Sequence, residues 1–340
     1  MTRTTIKVIF MGAFCLSLFV AVLWVSYSKP RLLILHSYST DYVWTHNIDI
    51  GLERILEGQS WLDIHRHYMK TKKRSDKRYL QRAGISARNA IDQIRPNVVI
   101  AIDDYAQKLA AKYYVNRKDV QIVFAGLNGS ASPYGYDGAK NVTGIYERKP
   151  VAALREVVQV MKSSGNPRVL FLSDKSHSAK RDAGYMAKFK WAPVRYEGHL
   201  PVKTFEDWKK EIKTIDKKTD FVFVGAYRKL YDKGGKRKVK AKKVMAWTVK
   251  NSPVPVIGIN EFVTKDGAIF SVGVSPYEQG EISAKMALRI LREKIQASDI
   301  PRVLSAQYVV AMRREAMEKM GIQVPAVYEA LAQVTGNYFD

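Results

Sequence analysis

The sequence predicts an α/β protein in which each of two lobes contains a parallel β-sheet. Short runs rich in Val and Ile alternate with longer helical patterns, which is typical of parallel sheets covered by helices on both faces. This alternation passes through two similar series, over about 30–145 and about 150–265. The chain has 340 residues, more than one hydrophobic core usually serves, so two domains are expected.

The individual elements follow from the spacing of apolar residues. Strand patterns occupy 31–37, 61–69, 97–103, 120–128, 168–174, 193–200, 220–227, 254–260 and 268–274. Helical patterns occupy 45–57, 76–94, 104–115, 150–163, 178–189, 204–217, 240–250 and 277–294.

The predicted domain organisation has four parts. Residues 1–28 form a signal peptide or membrane anchor, 29–145 the first lobe and 146–265 the second lobe. Residues 266–340 form a return segment, mostly helical, that mostly completes the first lobe. The stretch GYDGAKNVTGIYERKP (135–150) is rich in Gly, Asn and Thr, and we interpret it as a crossing between the lobes.

The first residues predict export. Arg3 and Lys7 precede about 20 uncharged, mostly apolar residues. The length of this run favours a retained inner-membrane anchor, whereas Ser26 and Ser28 favour a cleaved signal peptide. Basic residues ahead of an apolar segment favour an N-terminus on the inside. Residues 29–340 are therefore expected in the periplasm, either free or anchored.

Composition limits the kinds of site that the chain can hold. Cys15 lies in the apolar run and is the only cysteine, so the exported part has no disulfide and no thiolate metal site. The net charge is +24, and basic residues concentrate in KTKKRSDKR (70–78) and KRKVKAKK (236–243). Such runs are usually solvated faces, but they also suit an anionic membrane surface. Nucleic acid is not expected as a partner of an exported protein.

Hydrogen-bonding and aromatic residues follow six of the predicted strands. Ligands of open α/β sheets bind beyond the carboxyl ends of the strands, so these positions predict a cleft between the lobes that holds a small molecule. Asp, Asn and Ser after a strand also commonly cap the next helix. The candidate ligand-binding residues are Ser37, Tyr38, Trp44, Asp104, Tyr105, Asn128, Ser173, Lys175, Tyr227, Asn260 and Glu261.

The residue types suggest roles for these candidates. Asp104 or Glu261 is expected to meet an ammonium group, as an amino-acid ligand requires. Lys175 or Arg228 is expected to meet a carboxylate. His36 points away from Ser37 if the strand continues, and is expected to be packed or capping. The predicted stacking walls are Tyr38, Trp44, Tyr105 and Tyr227.

Motifs of catalysis are not evident in the sequence. It contains no Gly-x-Ser-x-Gly, and no Gly-x-Gly-x-x-Gly follows a predicted strand. His65 and His67 share a strand face, but no third metal ligand accompanies them. We therefore expect neither an enzyme, nor a cofactor, nor a metal site.

Several stretches, in their order and spacing, resemble the ABC-transporter substrate-binding protein family with the type I periplasmic-binding-protein fold. ILHSYSTDYVWT is similar to the first-strand signature of the branch that also occurs as extracytoplasmic sensor domains of histidine kinases. VQIVFAGLNG and NVTGIYE resemble the fourth strand and the turn after it. VPVIGINEFVTKDGAIFSVGVSPYEQGEISAKMALRIL resembles the lobe-return segment, and QYVVAMRREAMEKMGIQVP the closing strand and helix.

The resemblance implies two Rossmann-like lobes that capture a small solute between them without catalysis. It also implies an ABC permease, or a membrane sensor kinase, as partner. The chain departs from many transporter members at Asp103-Asp104-Tyr105 and at Asn128-Gly129, so the ligand cannot be carried over. Uptake and signalling both stay open at this point. The alternative function is a membrane-anchored, non-catalytic interaction protein that uses its basic surface.

Overall fold

The computed structural model describes Met11 and residues 13–19, 29–162 and 164–340. The strands in these ranges are β1 (Arg31–His36), β2 (Asp63–Tyr68), β3 (Val98–Ile102), β4 (Gln121–Leu127), β5 (Val142–Tyr146), β6 (Arg168–Asp174), β7 (Arg195–Val202), β8 (Phe221–Val224), β9 (Val256–Gly258), β10 (Phe270–Val274), β11 (Val303–Leu304), β12 (Tyr308–Arg313) and β13 (Tyr338–Phe339). The helices that matter below are α1 (Val43–Leu56), α2 (Lys77–Ile94), α3 (Asp103–Leu109), α4 (Val151–Met161), α5 (His177–Lys188), α6 (Phe205–Lys213), α7 (Ala241–Asn251), α8 (Glu261–Lys265), α9 (Pro276–Glu293), α10 (Arg314–Lys319) and α11 (Ala326–Val334).

The predicted signal or anchor, residues 1–28, falls mostly outside the described residues. Among those that are described, no helix has both the length and the apolar character needed to cross a membrane.

Unit 1 comprises the described residues of Met1–Glu147 and Pro276–Leu304. Its six strands form a parallel sheet in the order β11-β5-β4-β3-β1-β2. The strand residues alternate between two hydrophobic clusters: Leu33 belongs to one face of the sheet and Leu32 to the other. A sheet with apolar residues on both faces must be covered twice, which explains the continuous apolar runs in the sequence.

Helix α9 packs closely against α1 in unit 1. A Cβ atom on Gly51 would overlap the backbone of Tyr277, and one on Gly280 would overlap the backbone of Ile48. The two helices approach so closely because both crossing points are glycines. This contact fixes the first turn of α9, which carries Gln279.

Unit 2 comprises Arg148–Ser275 and Ser305–Asp340. Its seven strands lie in the order β13-β12-β10-β9-β8-β6-β7. β10 and β12 are antiparallel, and the remaining neighbours are parallel. The two faces again hold separate clusters, with Phe171 in one and Trp208 in the other.

The predicted fold class, α/β with two parallel sheets, is confirmed. Two details differ from the sequence analysis. The segment 135–150 does contain the change from unit 1 to unit 2, after Glu147, but most of it belongs to unit 1, where strand β5 pairs with β4 inside the sheet. The return segment does not mostly complete the first lobe: only 276–304 lies in unit 1. The rest lies in unit 2, because β12 forms its backbone hydrogen bonds with β10.

Candidate functional site

The carboxyl edge of the unit 1 sheet is centred on Asp103. This residue follows β3 directly and has a left-handed backbone, with φ of 66°, which Asp tolerates better than most residues. Its Oδ1 accepts a hydrogen bond from the indole N–H of Trp44 at 3.0 Å. The residue is 3% exposed, and within the described residues its Oδ2 has no hydrogen-bond partner. A buried acceptor left unpaired is costly, so this oxygen is a candidate ligand contact.

The electrostatic environment of Asp103 is negative. Burial raises the pKa of its carboxyl well above the usual range, and the nearby charge of Glu147 raises it further. Asp104 acts in the same direction, while the Trp44 hydrogen bond and the charge of Lys72 lower this pKa. A bound cation would favour the ionised carboxylate, so the arrangement suits an ammonium group better than an anion.

Aromatic rings line this edge. The rings of Tyr38 and Tyr42 meet edge to face at 5.4 Å between centroids. Lys72 Nζ lies 4.9 Å from the centroid of Tyr38 and 4.8 Å from that of Tyr42, as in cation–π contacts. Burial raises the pKa of the Tyr38 hydroxyl well above its usual value, and Asp103 is the next largest cause. The Tyr38 side chain therefore lies close to the acidic group.

The polar rim is formed by three of the predicted residues. The Tyr134 hydroxyl donates to Asp104 Oδ1 at 3.1 Å. Asn128 Nδ2 donates to Glu147 Oε2 at 2.7 Å. Tyr105, in the first turn of α3, is half-buried.

A second unpaired group lies beside the first. The Gly126 amide donates to Gln279 Oε1 at 2.8 Å, which fixes the orientation of the Gln279 side-chain amide. Gln279 Nε2 is buried and has no partner among the described residues. A Cβ atom on Gly126 would lie 2.7 Å from Asp103 Oδ1, so both side chains contact this one glycine. An unpaired acceptor and an unpaired donor thus flank Gly126.

Ser37 links the end of β1 to the end of β3 and to helix α3. Its hydroxyl donates to the carbonyl of Ile102 at 2.7 Å and accepts the amide N–H of Ala106 at 2.8 Å. Its own carbonyl accepts from the Thr71 hydroxyl at 2.7 Å. The side chain is fully buried, so these contacts use the hydrogen-bonding capacity on which a ligand would depend. His36 is likewise buried, with Nε2 at 2.9 Å from an oxygen of Asp49.

The carboxyl edge of the unit 2 sheet is centred on Lys149. Its Nζ donates to Asn260 Oδ1 at 2.5 Å. Burial raises the pKa values of Asp182 and Glu261, and the charge of Lys149 opposes both shifts. The cluster therefore places one ammonium close to two carboxyl groups and one amide, a set that can bind either charge of a zwitterion.

Glu261 in unit 2 lies against a glycine of the neighbouring strand, as Asp103 does in unit 1. Glu261 follows β9, and a Cβ atom on Gly273 of the neighbouring strand β10 would lie 2.8 Å from Glu261 Oε2. In unit 1, Asp103 follows β3 and meets Gly126 of the neighbouring strand β4. In each unit a glycine provides the room for an acidic side chain beside the backbone.

Three other predicted residues of unit 2 have different surroundings. The Ser173 hydroxyl is buried, 2.7 Å from His199 Nε2. Tyr227 is fully buried in a hydrophobic core, and its hydroxyl donates to Asp266 Oδ2 at 2.6 Å. Lys175 is exposed. Arg228 also donates to Asp266, at 3.0 Å, so its guanidinium is already paired with an acid.

The structure thus brings some predicted residues together and separates others. Tyr38, Trp44, Asp104 and Asn128 surround Asp103 or its acidic neighbours, and Asn260 and Glu261 surround Lys149. The ligand-binding roles of all these residues stay predictions. Sequence reasoning left out four residues: Asp103, which a helix cap explained equally well, and Lys149, Asp182 and Gln279, whose partners are distant in sequence.

Comparison with known proteins adds a family and a fold. Residues 195–335 match the sequence model of the family described as "ABC transporter substrate binding protein". No curated protein matches the chain in sequence.

Solved structures share the fold at low sequence identity. A ligand-free, open substrate-binding protein with adhesive properties from Clostridium difficile has a TM-score of 0.65 at 16% identity, covering 87% of this chain and 96% of that one. A conserved domain protein from Vibrio cholerae has a TM-score of 0.59 at 15% identity, covering 92% and 100%. An ABC domain from Streptococcus pneumoniae, in complex with L-Trp, has a TM-score of 0.56 at 16% identity, covering 89% and 98%.

Proposed function

We propose that this chain, whose residues 195–335 match the sequence model of the ABC transporter substrate-binding protein family, is a non-catalytic binding protein that captures a small amine-bearing solute. Amino acids, above all aromatic ones, are the first candidates. The observation that carries the proposal is Oδ2 of Asp103, which is buried at the carboxyl edge of the unit 1 sheet and has no hydrogen-bond partner in the described part of the chain. This edge is the usual ligand position in open α/β sheets.

The ammonium group of the solute is proposed to bind Asp103. A hydrogen bond from a cation to a carboxylate is stronger than one between neutral groups. Glu147 and Asp104 add negative charge near the same point, as their effect on the pKa of Asp103 indicates. The sequence predicts Asp104 or Glu261 for this ammonium contact, whereas here it is assigned to Asp103, the neighbour of Asp104.

The remaining atoms of the solute are proposed to meet the rings and the amides. Tyr38 and Trp44 offer ring faces or edges beside Asp103, and Gln279 Nε2 offers a donor to a carboxylate or carbonyl oxygen. In unit 2, Lys149 and Asn260 are the proposed polar contacts. Support for an aromatic amino acid comes from these rings and from the L-Trp bound by the Streptococcus pneumoniae protein. The location of the solute between the lobes stays a prediction of the sequence.

Thermal unfolding of the purified full chain tests the proposal. A ligand that binds only the native state raises the free energy of unfolding, by about 2.7 kcal/mol at a ligand concentration of 100 times Kd. The melting temperature rises as a consequence. The informative pair is phenylalanine and 3-phenylpropanoate, which share ring and carboxylate but differ in the ammonium group. We expect stabilisation by amines and none by 3-phenylpropanoate. Equal stabilisation by both, or by sugars alone, contradicts the proposed role of Asp103.

The partner of the ligand-bound form is proposed to be an ABC permease, with a membrane sensor kinase as the alternative. The ligand shifts a binding protein toward one conformation, and the partner recognises that conformation. Reconstituting the chain with the candidate permease and its ATPase should raise ATP hydrolysis when the solute is present. If the solute-bound chain leaves ATP hydrolysis unchanged and stimulates autophosphorylation of the candidate sensor kinase, the chain acts in sensing.

We further propose that residues 1–28 direct the chain to the periplasm. The support is the apolar run that follows Arg3 and Lys7. N-terminal sequencing of the protein recovered from cells tells a cleaved signal from a retained anchor.

A further inference from the structure

Residues 229–243, called the basic segment below, lie between strand β8 and the first turn of helix α7. The sequence KLYDKGGKRKVKAKK contains eight cations and one acid, Asp232. All eight cations are exposed, and none of them has an ion-pair partner in the described part of the chain. The cations are Lys229, Lys233, Lys236, Arg237, Lys238, Lys240, Lys242 and Lys243.

The backbone of the basic segment is well organised. Asp232 uses its Oδ1 to accept the amide N–H groups of Lys236 and Arg237, at 3.0 and 3.3 Å. The Asp232 amide donates to the Arg237 carbonyl at 2.8 Å, and Gly235 provides the left-handed turn, with φ of 69°. The only acid of the segment therefore holds the turn. The cations are presented on a fixed loop that keeps its positive charge.

Apolar residues of the segment attach it to unit 2. Leu230 is fully buried, and Val239 packs against the same core. The Val239 amide donates to the Leu230 carbonyl at 2.9 Å, which closes the loop. None of the large hydrophobic residues that are exposed on the described chain belongs to the segment. Its outer surface is therefore charged without an apolar centre.

The other basic run of the sequence is arranged differently. In 70–78, Lys73 pairs with Asp41 at 2.7 Å. Lys72 lies over the rings of Tyr38 and Tyr42 in unit 1. Asp76 caps helix α2 by accepting the Tyr79 amide. Contacts within unit 1 thus use part of this run, whereas the cations of the basic segment form no ion pair with any residue that the structure describes.

We propose that the basic segment is a docking surface for a bilayer that contains anionic phospholipid. Stable protein–protein interfaces have an apolar or aromatic core and are depleted in Lys, and this surface has the opposite composition. Single-stranded nucleic acid is usually held by stacking on aromatic side chains, which the exposed part of the segment does not offer. Binding to a flat layer of lipid phosphates requires only exposed basic side chains that can reach it. The apolar run at the N-terminus, which predicts passage to a membrane, agrees with this partner.

Vesicle binding by the full chain tests the proposal. Binding to vesicles of phosphatidylcholine alone is compared with binding to vesicles that also contain phosphatidylglycerol. The N-terminal apolar run is the same in every sample, so the ratio of the two affinities isolates the effect of lipid charge. Each Lys or Arg near an anionic surface contributes about 1 kcal/mol. We therefore expect the fourfold variant Lys233→Gln, Lys236→Gln, Arg237→Gln, Lys238→Gln to lose on the order of 1,000-fold of its preference for the anionic vesicles.

Two control variants separate this surface from net charge and from misfolding. The variant Lys118→Gln, Lys140→Gln, Lys188→Gln, Lys190→Gln removes the same charge from exposed lysines elsewhere and is expected to lose less than about 10-fold. The charge-preserving variant Lys233→Arg, Lys236→Arg, Arg237→Lys, Lys238→Arg is expected to bind like the wild type.

Three results would overturn the proposal. One is an equal loss in the two glutamine variants, which would make net charge the cause. Another is a wild-type chain without preference for the anionic vesicles. The third is a fourfold glutamine variant that keeps vesicle binding but no longer binds poly-glutamate or single-stranded DNA, which would assign the segment to a macromolecular partner.

Discussion

Replacing Asp103 by asparagine should make the ligand-free chain more stable and its binding of an amine weaker. The two effects have one origin. Oδ2 of Asp103 is buried and has no hydrogen-bond partner among the described residues, so an ionised carboxylate at this position costs free energy of folding. An asparagine side chain has nearly the same shape and carries no charge, while its oxygen can still accept the Trp44 indole N–H.

The magnitude follows from the type of contact. A hydrogen bond between charged partners contributes about 1.5–3 kcal/mol, so the Kd for an amine is expected to rise about 10- to 150-fold. Leaving a buried polar group unpaired costs about 1–3 kcal/mol, and more when the group is charged. The amide nitrogen of the introduced asparagine would also lack a partner there, so the substitution removes only the additional cost of the charge, and we expect Asp103→Asn to raise the free energy of unfolding by about 1 kcal/mol at neutral pH.

The pH dependence has a definite sign. Burial and Glu147 raise the pKa of Asp103 in the folded chain above its value in the unfolded chain, which is about 3.9. Between these two pKa values the folded state binds more protons than the unfolded state, so this group makes stability fall as the pH rises. Binding of a cation has the opposite trend, because protonation of the carboxyl removes the charge that the cation requires. Both trends should be weaker in Asp103→Asn.

Urea unfolding of the ligand-free chain and calorimetric titration with the best amine measure the two effects. Asp119→Asn is the matched control, since it removes the charge of an exposed acid that pairs with Arg117. It should leave the amine affinity unchanged. An Asp103→Asn variant that is less stable and binds the amine as well as the wild type would refute the reasoning, because that pattern belongs to a helix cap.

Three further substitutions test the assignments of other residues. Ser37→Ala removes a hydroxyl that bridges two buried backbone groups, and urea unfolding should show a loss of about 2 kcal/mol. Tyr227→Phe should lower stability by about 1 kcal/mol while the ligand Kd changes less than about twofold, because its hydroxyl bonds within the core. Gly126→Ala should lower both stability and affinity, since the new methyl would displace Asp103. Gly58→Ala, equally left-handed but with no atom within 4 Å, measures the backbone strain alone.

The sequence predicts the strands and helices of both units because their apolar periodicity is local. It does not predict β5 as part of a sheet. Gly144 in β5 reads as a turn residue, whereas in the structure a Cβ atom there would overlap the backbone of Phe124. The glycine serves close approach of two strands. The pairing of β12 with β10 is not encoded locally either, so the sequence does not predict that the C-terminal segment belongs to unit 2.

The site is predictable in position but not in detail. The rule for carboxyl ends locates the stretches around 37, 103, 128, 173 and 260. It does not say which of two adjacent side chains faces inward. In unit 1 the left-handed backbone of Asp103 determines which side chain faces inward, and no sequence pattern predicts that backbone conformation. Gln279 was missed because its partner, Gly126, lies 153 residues earlier in the chain.

The pairing of an acid with a glycine explains how each unit can hold a carboxyl group ready for a ligand. Asp103 lies against Gly126, and Glu261 against Gly273, at distances that any larger residue on the glycine strand would disturb. The backbone therefore limits where the carboxyl group can lie before a ligand arrives. Burial raises the pKa of both acids, so much of the cost of removing them from water is met when the unit folds. A cation that binds such a group gains affinity, because neither the position nor the dehydration of the acid must be supplied at the moment of binding.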